Sequence, residues 1–418
     1  MFRRENSTLR SMLRSNPPMN TSTLQKKMDA IELLTRSKSV LKEFLSKKPL
    51  YYSEIDYTRM PRVFGEIKSS FDTPKVIHVI GTNGKGTTGR FLATALLFLG
   101  LKTGHYTSPH ILEFNERIWL NGENASDETV EEAHQKLQTI LTKADSDALS
   151  YFEYTTLLAM LIFRGCDFVV LEAGLGGEHD ATAVFDKALT LVTPIDYDHE
   201  AFLGSDITEI AKTKLNAIQK SVILANQKYR EIALIAQIIA LKKSAKFYRV
   251  DMLIEDEDRK KIEEISKNLS LFPYLRENLK LSISALKFFG LKYRVEDFNN
   301  SKLFGRLTKI RENVLIDVGH NPLAAASIVE SLAPQKYILI YNSYRDKNYR
   351  EILAILKPII EHVELITVHD SRIEDEVKIQ KSIEALDIKQ RPYKEINPNS
   401  NYLVFGSFSV VEQFLRSL

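Results

Sequence analysis

A lysine flanked by glycines and hydroxyls stands at Gly81-Thr82-Asn83-Gly84-Lys85-Gly86-Thr87-Thr88, directly after the apolar run Val76 to Ile80. Backbone N–H groups at such a turn, and at the start of a helix behind it, form a nest for anions. The lysine adds a mobile positive charge, and a hydroxyl can reach a metal. The run departs from the ordinary phosphate-loop pattern: Val79 stands where the first glycine would be, and Gly86 separates Lys85 from the hydroxyls. Taken bare it also fits a structural turn; a strand before it and a helix after it favour the phosphate reading. A second cluster, Leu171-Glu172-Ala173-Gly174-Leu175-Gly176-Gly177, ends an apolar run in an acid and glycines. Carboxyl ends of parallel strands are where such sheets place ligands, so Glu172 is well sited to hold a cation beside a phosphate. A third, Thr193-Pro194-Ile195-Asp196-Tyr197-Asp198-His199, also follows an apolar run. Each alone fits a solvated loop, but three tips of one sheet converge. Lys214 is the sharpest single residue. On a helix turning about 100° per residue it shares a face with Ile207, Ile210, Ala211 and Ile218, while Lys212 points elsewhere. Such a lysine either snorkels to the edge or is desolvated. Desolvation lowers its pKa, and the neutral amine can take up CO2 to become a carbamate, an anionic oxygen ligand for Mg2+.

Positioning these residues requires alternating strands and helices. From Lys75 onward, short β-branched runs alternate with amphipathic stretches, the pattern of βαβ units and a mainly parallel sheet. Strands are predicted at Val76–Ile80, Phe168–Leu171, Leu189–Pro194 and Val222–Ala225. Helices are predicted at Thr87–Leu99, Thr129–Thr142, Thr155–Phe163, Ile207–Ile218 and around Tyr274–Phe289. The polar stretch Asp297–Lys302 breaks periodicity, and a second alternating series follows, with strands at Val314–Val318, Tyr337–Tyr341, Val363–Val368 and Tyr402–Phe405. Three segments result: a basic tail and N-terminal helix over 1–50, a first α/β domain over 51–298 and a smaller one over 299–418. The tail carries Arg3, Arg4, Arg10 and Arg14; it is Arg- and Ser-rich like an organellar transit peptide, though we take it as a loose tail. Apolar spacing predicts a helix from Asp29 to about Leu45.

The 418 residues exceed one ordinary domain, and 44% hydrophobic with 27% charged residues exclude wholesale disorder. Lys+Arg 57 against Asp+Glu 54 leaves +3, which argues against a nucleic-acid binder held by phosphate electrostatics. The single cysteine, Cys166, excludes a disulfide framework and fits a reducing compartment. No apolar run reaches bilayer length, so the expectation is a cytoplasmic protein without membrane association.

Gly81 to Thr87, Tyr106-Thr107-Ser108-Pro109-His110, Phe114-Asn115-Glu116-Arg117-Ile118, Glu172 to Gly177, Asp198-His199, Lys214, Gly305-Arg306-Leu307 and Asp317-Val318-Gly319-His320-Asn321-Pro322 resemble, in order, the motifs of the folylpolyglutamate synthase and dihydrofolate synthase family. The resemblance runs from about Arg59 to the C-terminus. It implies a P-loop NTPase-like sheet with a smaller Rossmann-like C-terminal domain, as in the Mur ligase superfamily, and an ATP-dependent amide ligase. By that resemblance Gly81, Thr82, Asn83, Gly84, Lys85, Gly86 and Thr87 cradle the ATP phosphates, with Asn278 nearby. Thr87, Ser108, Glu172, His199 and carbamylated Lys214 surround one or two Mg2+ ions. Arg306 reaches the phosphates from the second domain, and Asp317 and His320 line the nucleotide, with Lys85, Lys214, Arg306 and His320 carrying catalysis. Ser108, Pro109, His110, Phe114, Asn115 and Arg117 help bind the pteroate or folate.

Four departures from the family pattern stand out. Val318-Gly319 replaces Gly-Ala, Ala183 replaces an asparagine, Leu275 replaces a glutamine, and Thr213 replaces the glutamate before the lysine. The implied reaction activates a carboxylate with the γ-phosphoryl group of ATP and captures it with L-glutamate, in a monomer whose partners are dihydropteroate or reduced folates. The rivals are a peptidoglycan-building Mur ligase and an ATP-binding regulator without ligase activity. The first would place a folded nucleotide-sugar domain before the loop, where roughly fifty of the preceding residues look unlikely to form one. A GTPase would carry an Asn-Lys-x-Asp segment, which is missing.

Overall fold

The computed structural model describes residues 39–48, 56–72 and 74–418; the basic tail and the first part of the predicted N-terminal helix lie outside these. Its strands are β1 Lys75–Ile80, β2 Thr103–Tyr106, β3 Ile118–Leu120, β4 Glu123–Asn124, β5 Phe168–Glu172, β6 Lys187–Val192, β7 Ser221–Leu224 and β8 Lys246–Arg249. A second series follows, β9 Thr308–Arg311, β10 Val314–Ile316, β11 Tyr337–Tyr341, β12 Ile360–Leu365, β13 Gln390–Pro392 and β14 Tyr402–Phe405. The first eight form one sheet in the order β4-β3-β2-β5-β1-β6-β7-β8, and the other six a second in the order β13-β12-β11-β14-β10-β9. Pairing is parallel from β2 to β8 and from β13 to β10. β3, β4 and β9 join antiparallel at the edges. The chain is therefore α/β, with a mainly parallel sheet flanked by helices and a smaller α/β unit after it.

Burial explains the plan. β1 reads Lys-Val-Ile-His-Val-Ile and is buried from Val76 on, as expected for a central parallel strand covered on both faces. The helix Lys85–Phe98 that follows has Phe91, Leu92, Ala95 and Leu96 fully buried around its circumference. It packs between the sheet and the helix Pro273–Phe288, to which it is tied by Ser282 Oγ donating to Thr88 O at 2.9 Å. Every strand predicted from sequence is present, several with shifted ends: β6 stops at Val192 and β10 at Ile316, because Thr193 and Asp317 already turn toward the site. The predicted strand ending at Val368 runs instead from Ile360 to Leu365, and the helix Ile207–Ile218 ends at Leu215. β2, β3, β4, β8, β9 and β13 are not among the predicted strands; they are short, and β2 is broken by Gly104 and two polar residues. The polar stretch Asp297–Lys302, where the sequence pattern places the domain boundary, is packed against the first unit. Asp297, Phe298 and Ser301 are buried, and Phe298 lies in the core of the first unit. The segment Ile111-Leu112 crosses to pack on Val318 and Phe414 of the second unit, which fixes one against the other.

Candidate active site

The phosphate loop leaves β1 and turns back over it, with Thr82 and Asn83 N–H both donating to Pro194 O. Gly84 sits at φ 88°, a left-handed conformation that a side chain resists, and a Cβ there would strike the Asn278 amide. The loop needs glycine at that point on both counts, and Asn278 is thereby placed against it. The helix begins at Lys85. Its first N–H groups and the positive end of its dipole face the same direction, as an anion site requires. Lys85 Nζ donates to Thr82 O at 3.0 Å and lies 3.9 Å from Glu172 Oε1. Thr87 Oγ1 is buried and has no hydrogen-bond partner.

Glu172 ends β5, one strand away. Its Oε2 accepts from Thr107 Oγ1 and from Ser108 N–H at 3.2 Å, so the carboxylate that faces the phosphate loop also fixes the start of the segment Ser108–Arg117. Lys214 does not snorkel. It is 3% exposed, and its Nζ donates to Gly81 O at 3.0 Å. Burial, with the Lys85 charge beside it, lowers its pKa to about 7. His199 caps the short helix Glu200–Leu203 in a left-handed conformation. Burial lowers its pKa to about 3 despite the Asp198 carboxylate, which leaves a neutral imidazole able to ligate a metal.

A divalent cation fits this set. The partnerless Thr87 hydroxyl, the buried Glu172 carboxylate, the neutral His199 ring and a lysine whose amine is half neutral near pH 7 are the donors it would use. Among the described residues no three His, Cys, Asp or Glu side chains gather into a metal cluster, so the hydroxyls and the nucleotide's own phosphates are needed to complete the shell.

The second unit closes the site from above. Arg306 lines a narrow crevice with Thr87, Phe91, Leu275, Lys302 and Leu303, its guanidinium lying 5.4 Å from the Phe408 ring centroid. Asp317 is committed: its carboxylate accepts from Leu307 N–H, Gly319 N–H and Tyr274 OH at 2.9, 2.7 and 3.1 Å. It shapes the turn into the helix Pro322–Leu332. His320 Nε2 lies 3.8 Å from Asp198 Oδ2, and Asn321 exchanges amide hydrogen bonds with Asn83 of the phosphate loop.

The segment Ser108–Arg117 leads away from Glu172 to a cavity of about 280 Å3. His110, Phe114 and Asn115 line it, with Tyr151, Val130, Asp127 and the helix Val40–Ser46. Arg117 sits behind, donating to His110 Nδ1 at 2.8 Å and lying 5.3 Å from the Tyr151 ring centroid. Burial, reinforced by Arg117 and Arg416, lowers the His110 pKa to about 3. Ser108 and Pro109, joined by a cis peptide bond, connect the cavity to Glu172.

The structure thus gathers Gly81 to Thr87, Glu172, His199, Lys214 and Asn278, and holds His110, Phe114 and Asn115 around a separate cavity. Sequence reasoning missed Thr107, Tyr274, Leu303, Lys347 and the cavity walls from Ser39 to Lys48. Lys347 follows the carboxyl end of β11, the same positional signal that singled out Glu172. The distant walls carry no such signal.

A phosphate loop and buried lysine at the tips of a mainly parallel sheet, roofed by a second α/β unit, define an ATP-dependent ligase of the Mur fold. No protein-family model matches the chain. It is 32% identical over 306 residues to the dihydrofolate synthase/folylpolyglutamate synthase of Escherichia coli, covering 69% of this chain and 72% of that protein. The crystal structure of Helicobacter pylori folylpolyglutamate synthetase superimposes with a TM-score of 0.74 at 38% identity, covering 91% of this chain and 98% of that one. A bifunctional folylpolyglutamate synthase/dihydrofolate synthase with Mn, AMPPNP and L-glutamate bound shares the fold, with a TM-score of 0.74 at 24% identity over 90% of this chain and 96% of that one. The chain belongs to the dihydrofolate synthase/folylpolyglutamate synthase family.

Proposed function

We propose that this protein is an ATP- and Mg2+-dependent ligase that joins the amine of L-glutamate to the carboxylate of dihydropteroate, of folyl-glutamates, or of both. The observation that carries the reading is the single segment Ser108–Arg117, which touches Glu172 at one end and lines the acceptor cavity at the other. It offers a track from an aromatic-walled pocket to the phosphate loop. A solved relative that holds Mn, AMPPNP and L-glutamate supports the nucleotide, the divalent metal and the amino acid of this reading.

A carboxylate is a poor electrophile at neutral pH and must first be phosphorylated. In this reading the loop N–H groups from Gly81 to Thr87 and the Lys85 ammonium hold the β- and γ-phosphates, Asn278 steadies the loop at Gly84, and Arg306 approaches from the second unit. Asp317 and His320 hold the roof over the nucleotide. Phe114, Asn115 and neutral His110 seat the acceptor's flat ring system, and Ser108, Pro109 and Arg117 orient its carboxylate toward the γ-phosphoryl group. An acceptor oxygen bonds to phosphorus as the bond to ADP breaks. The glutamate amine then attacks the acyl carbon, phosphate leaves with the bonding pair, and the nitrogen loses a proton. Mg2+, when bound by Thr87, Ser108, Glu172, His199 and Lys214, neutralises the phosphate charge and polarises the phosphoryl oxygens. We further read Lys214 as carbamylated: its neutral amine adds to CO2, releases one proton, and becomes an anionic oxygen ligand. Its burial and its pKa of about 7 support this. The same reading makes the enzyme a cytoplasmic monomer acting on small molecules, in keeping with its lone cysteine and near-neutral charge.

The test uses purified enzyme with ATP, Mg2+ and L-glutamate, adding dihydropteroate or tetrahydrofolate. Glutamate-dependent ADP release with at least one acceptor is expected, and the pair decides which of the two reactions is catalysed. ATP binding without ADP release from either would favour the regulator.

A further inference from the structure

We propose that Asp198 and Lys347 form a clasp between the two units, a pair of positioning residues that holds the roof closed over the phosphate loop and sets the His199 and His320 rings. Asp198 follows β6 in the first unit, and Lys347 follows β11 in the second. Lys347 Nζ lies 2.6 Å from Asp198 Oδ1, and each residue is 9% exposed. The remaining donors to this carboxylate come from both sides. His199 N–H reaches Oδ1 at 2.9 Å, and Asn321 Nδ2, from the second unit, reaches Oδ2 at 3.2 Å. His199 Nε2 and His320 Nε2 stand 4.0 and 3.8 Å from Oδ2.

Asn321 extends the connection. Its Oδ1 caps the helix Pro322–Leu332 by accepting from Ala324 N–H, and its amide pairs both ways with Asn83. Phosphate loop, Asn321, Asp198 and Lys347 thus form one polar chain that crosses between the units three times. Lys347 Nζ, the His199 N–H and the Asn321 amide between them occupy both oxygens of the Asp198 carboxylate. An oxygen pair so fully engaged is not free to take a proton from substrate; its work is mechanical. A buried pair of this kind has an asymmetric energy. Removing one member strands a charge away from water, whereas removing both does not.

The inference rests on the ligase reading only for its kinetic readout. Three variants test it: Lys347→Met, Asp198→Asn and the double variant, each followed by small-angle X-ray scattering and by kinetics. Lys347→Met is expected to enlarge the radius of gyration and to lower kcat/KM for L-glutamate by about 30-fold or more, the scale of a stranded buried charge. ATP binding, measured separately, is expected to shift less than threefold, since Lys347 touches no part of the phosphate loop. The double variant is expected to melt at a higher temperature than Lys347→Met yet remain expanded, while Lys347→Arg restores most of the compactness. The double variant keeps the test decisive should Lys347→Met fail to fold. Wild-type scattering together with kcat/KM within threefold of wild type, in Lys347→Met or in the double variant, overturns the clasp, as do strictly additive effects of the two substitutions. If the wild-type enzyme releases no ADP with either acceptor, the ligase reading fails, and the scattering measurements still decide the clasp.

Discussion

The two halves of the site are built on opposite plans. The phosphate end is a continuous stretch of chain whose backbone does the binding: Gly81 to Thr87 presents N–H groups, and the side chains that matter project from adjacent strand tips in one sheet. The acceptor cavity is a patchwork, walled by the helix Val40–Ser46, by His110 to Asn115, by Asp127 and Val130, and by Tyr151. Backbone-cradled phosphate tolerates little variation in spacing, because each glycine answers a steric demand, as Gly84 does against Asn278. A patchwork pocket can change one wall at a time. If the proposed function holds, catalytic power belongs to the first half and acceptor choice to the second, and perturbations of each should separate in kcat and KM.

The largest effect is expected at the phosphate end. Lys214→Ala should lower kcat by about 10²–10³-fold, as loss of one preorganised electrostatic group does, while leaving acceptor KM within threefold. Steady-state kinetics check the split, and partial recovery with added acetate or formate would mark the missing carboxylate. In the cavity, Tyr151→Ala should raise acceptor KM by about 10-fold or more through loss of a large buried aromatic, with ATP KM unchanged. A matching fall in kcat would break the comparison.

Proton chemistry sharpens it. Raising the pH through about 7 converts the Lys214 ammonium to the neutral amine that takes up CO2, so activity at limiting bicarbonate should climb between pH 6 and 8 and flatten at saturating bicarbonate. His110 already lost its proton at about 3, so acceptor KM should show no inflection near 6.5 over the same range. The smallest effect concerns the wall helix. Lys48 Nζ donates to Ser146 O at 2.7 Å and Leu149 O at 2.6 Å, anchoring the segment that ends the helix Val40–Ser46. Lys48→Met should cost about 1–3 kcal/mol in a denaturant titration, the scale of stranded buried carbonyls, and raise acceptor KM a few-fold without touching ATP.

The same contrast explains what could be read from the residues alone. Phosphate loop, Glu172 and Lys214 announce themselves because local sequence dictates local geometry. The 3.6-residue period placed Lys214 on an apolar face, and the structure resolves its two alternatives in favour of burial. The motif order then supplied the family. Contacts that depend on tertiary closure left no local trace. Lys347 pairs with Asp198 across 149 positions, and Ser39 and Leu41 reach Glu131 across about ninety. Thr107 was within the motif, yet its bond to Glu172 could be seen only once β2 and β5 paired in register. The polar run Asp297–Lys302 read as a domain boundary, and its composition does not reveal that Phe298 turns into the core of the first unit.

The central claim is that a carboxylate held by the acceptor segment is phosphorylated by ATP held at the loop. Acceptor labelled with 18O in its reacting carboxylate tests it directly, by mass analysis of the inorganic phosphate released in the presence of L-glutamate. Transfer of one labelled oxygen to phosphate in each turnover is the predicted result; unlabelled phosphate, with amide product still formed, would contradict it.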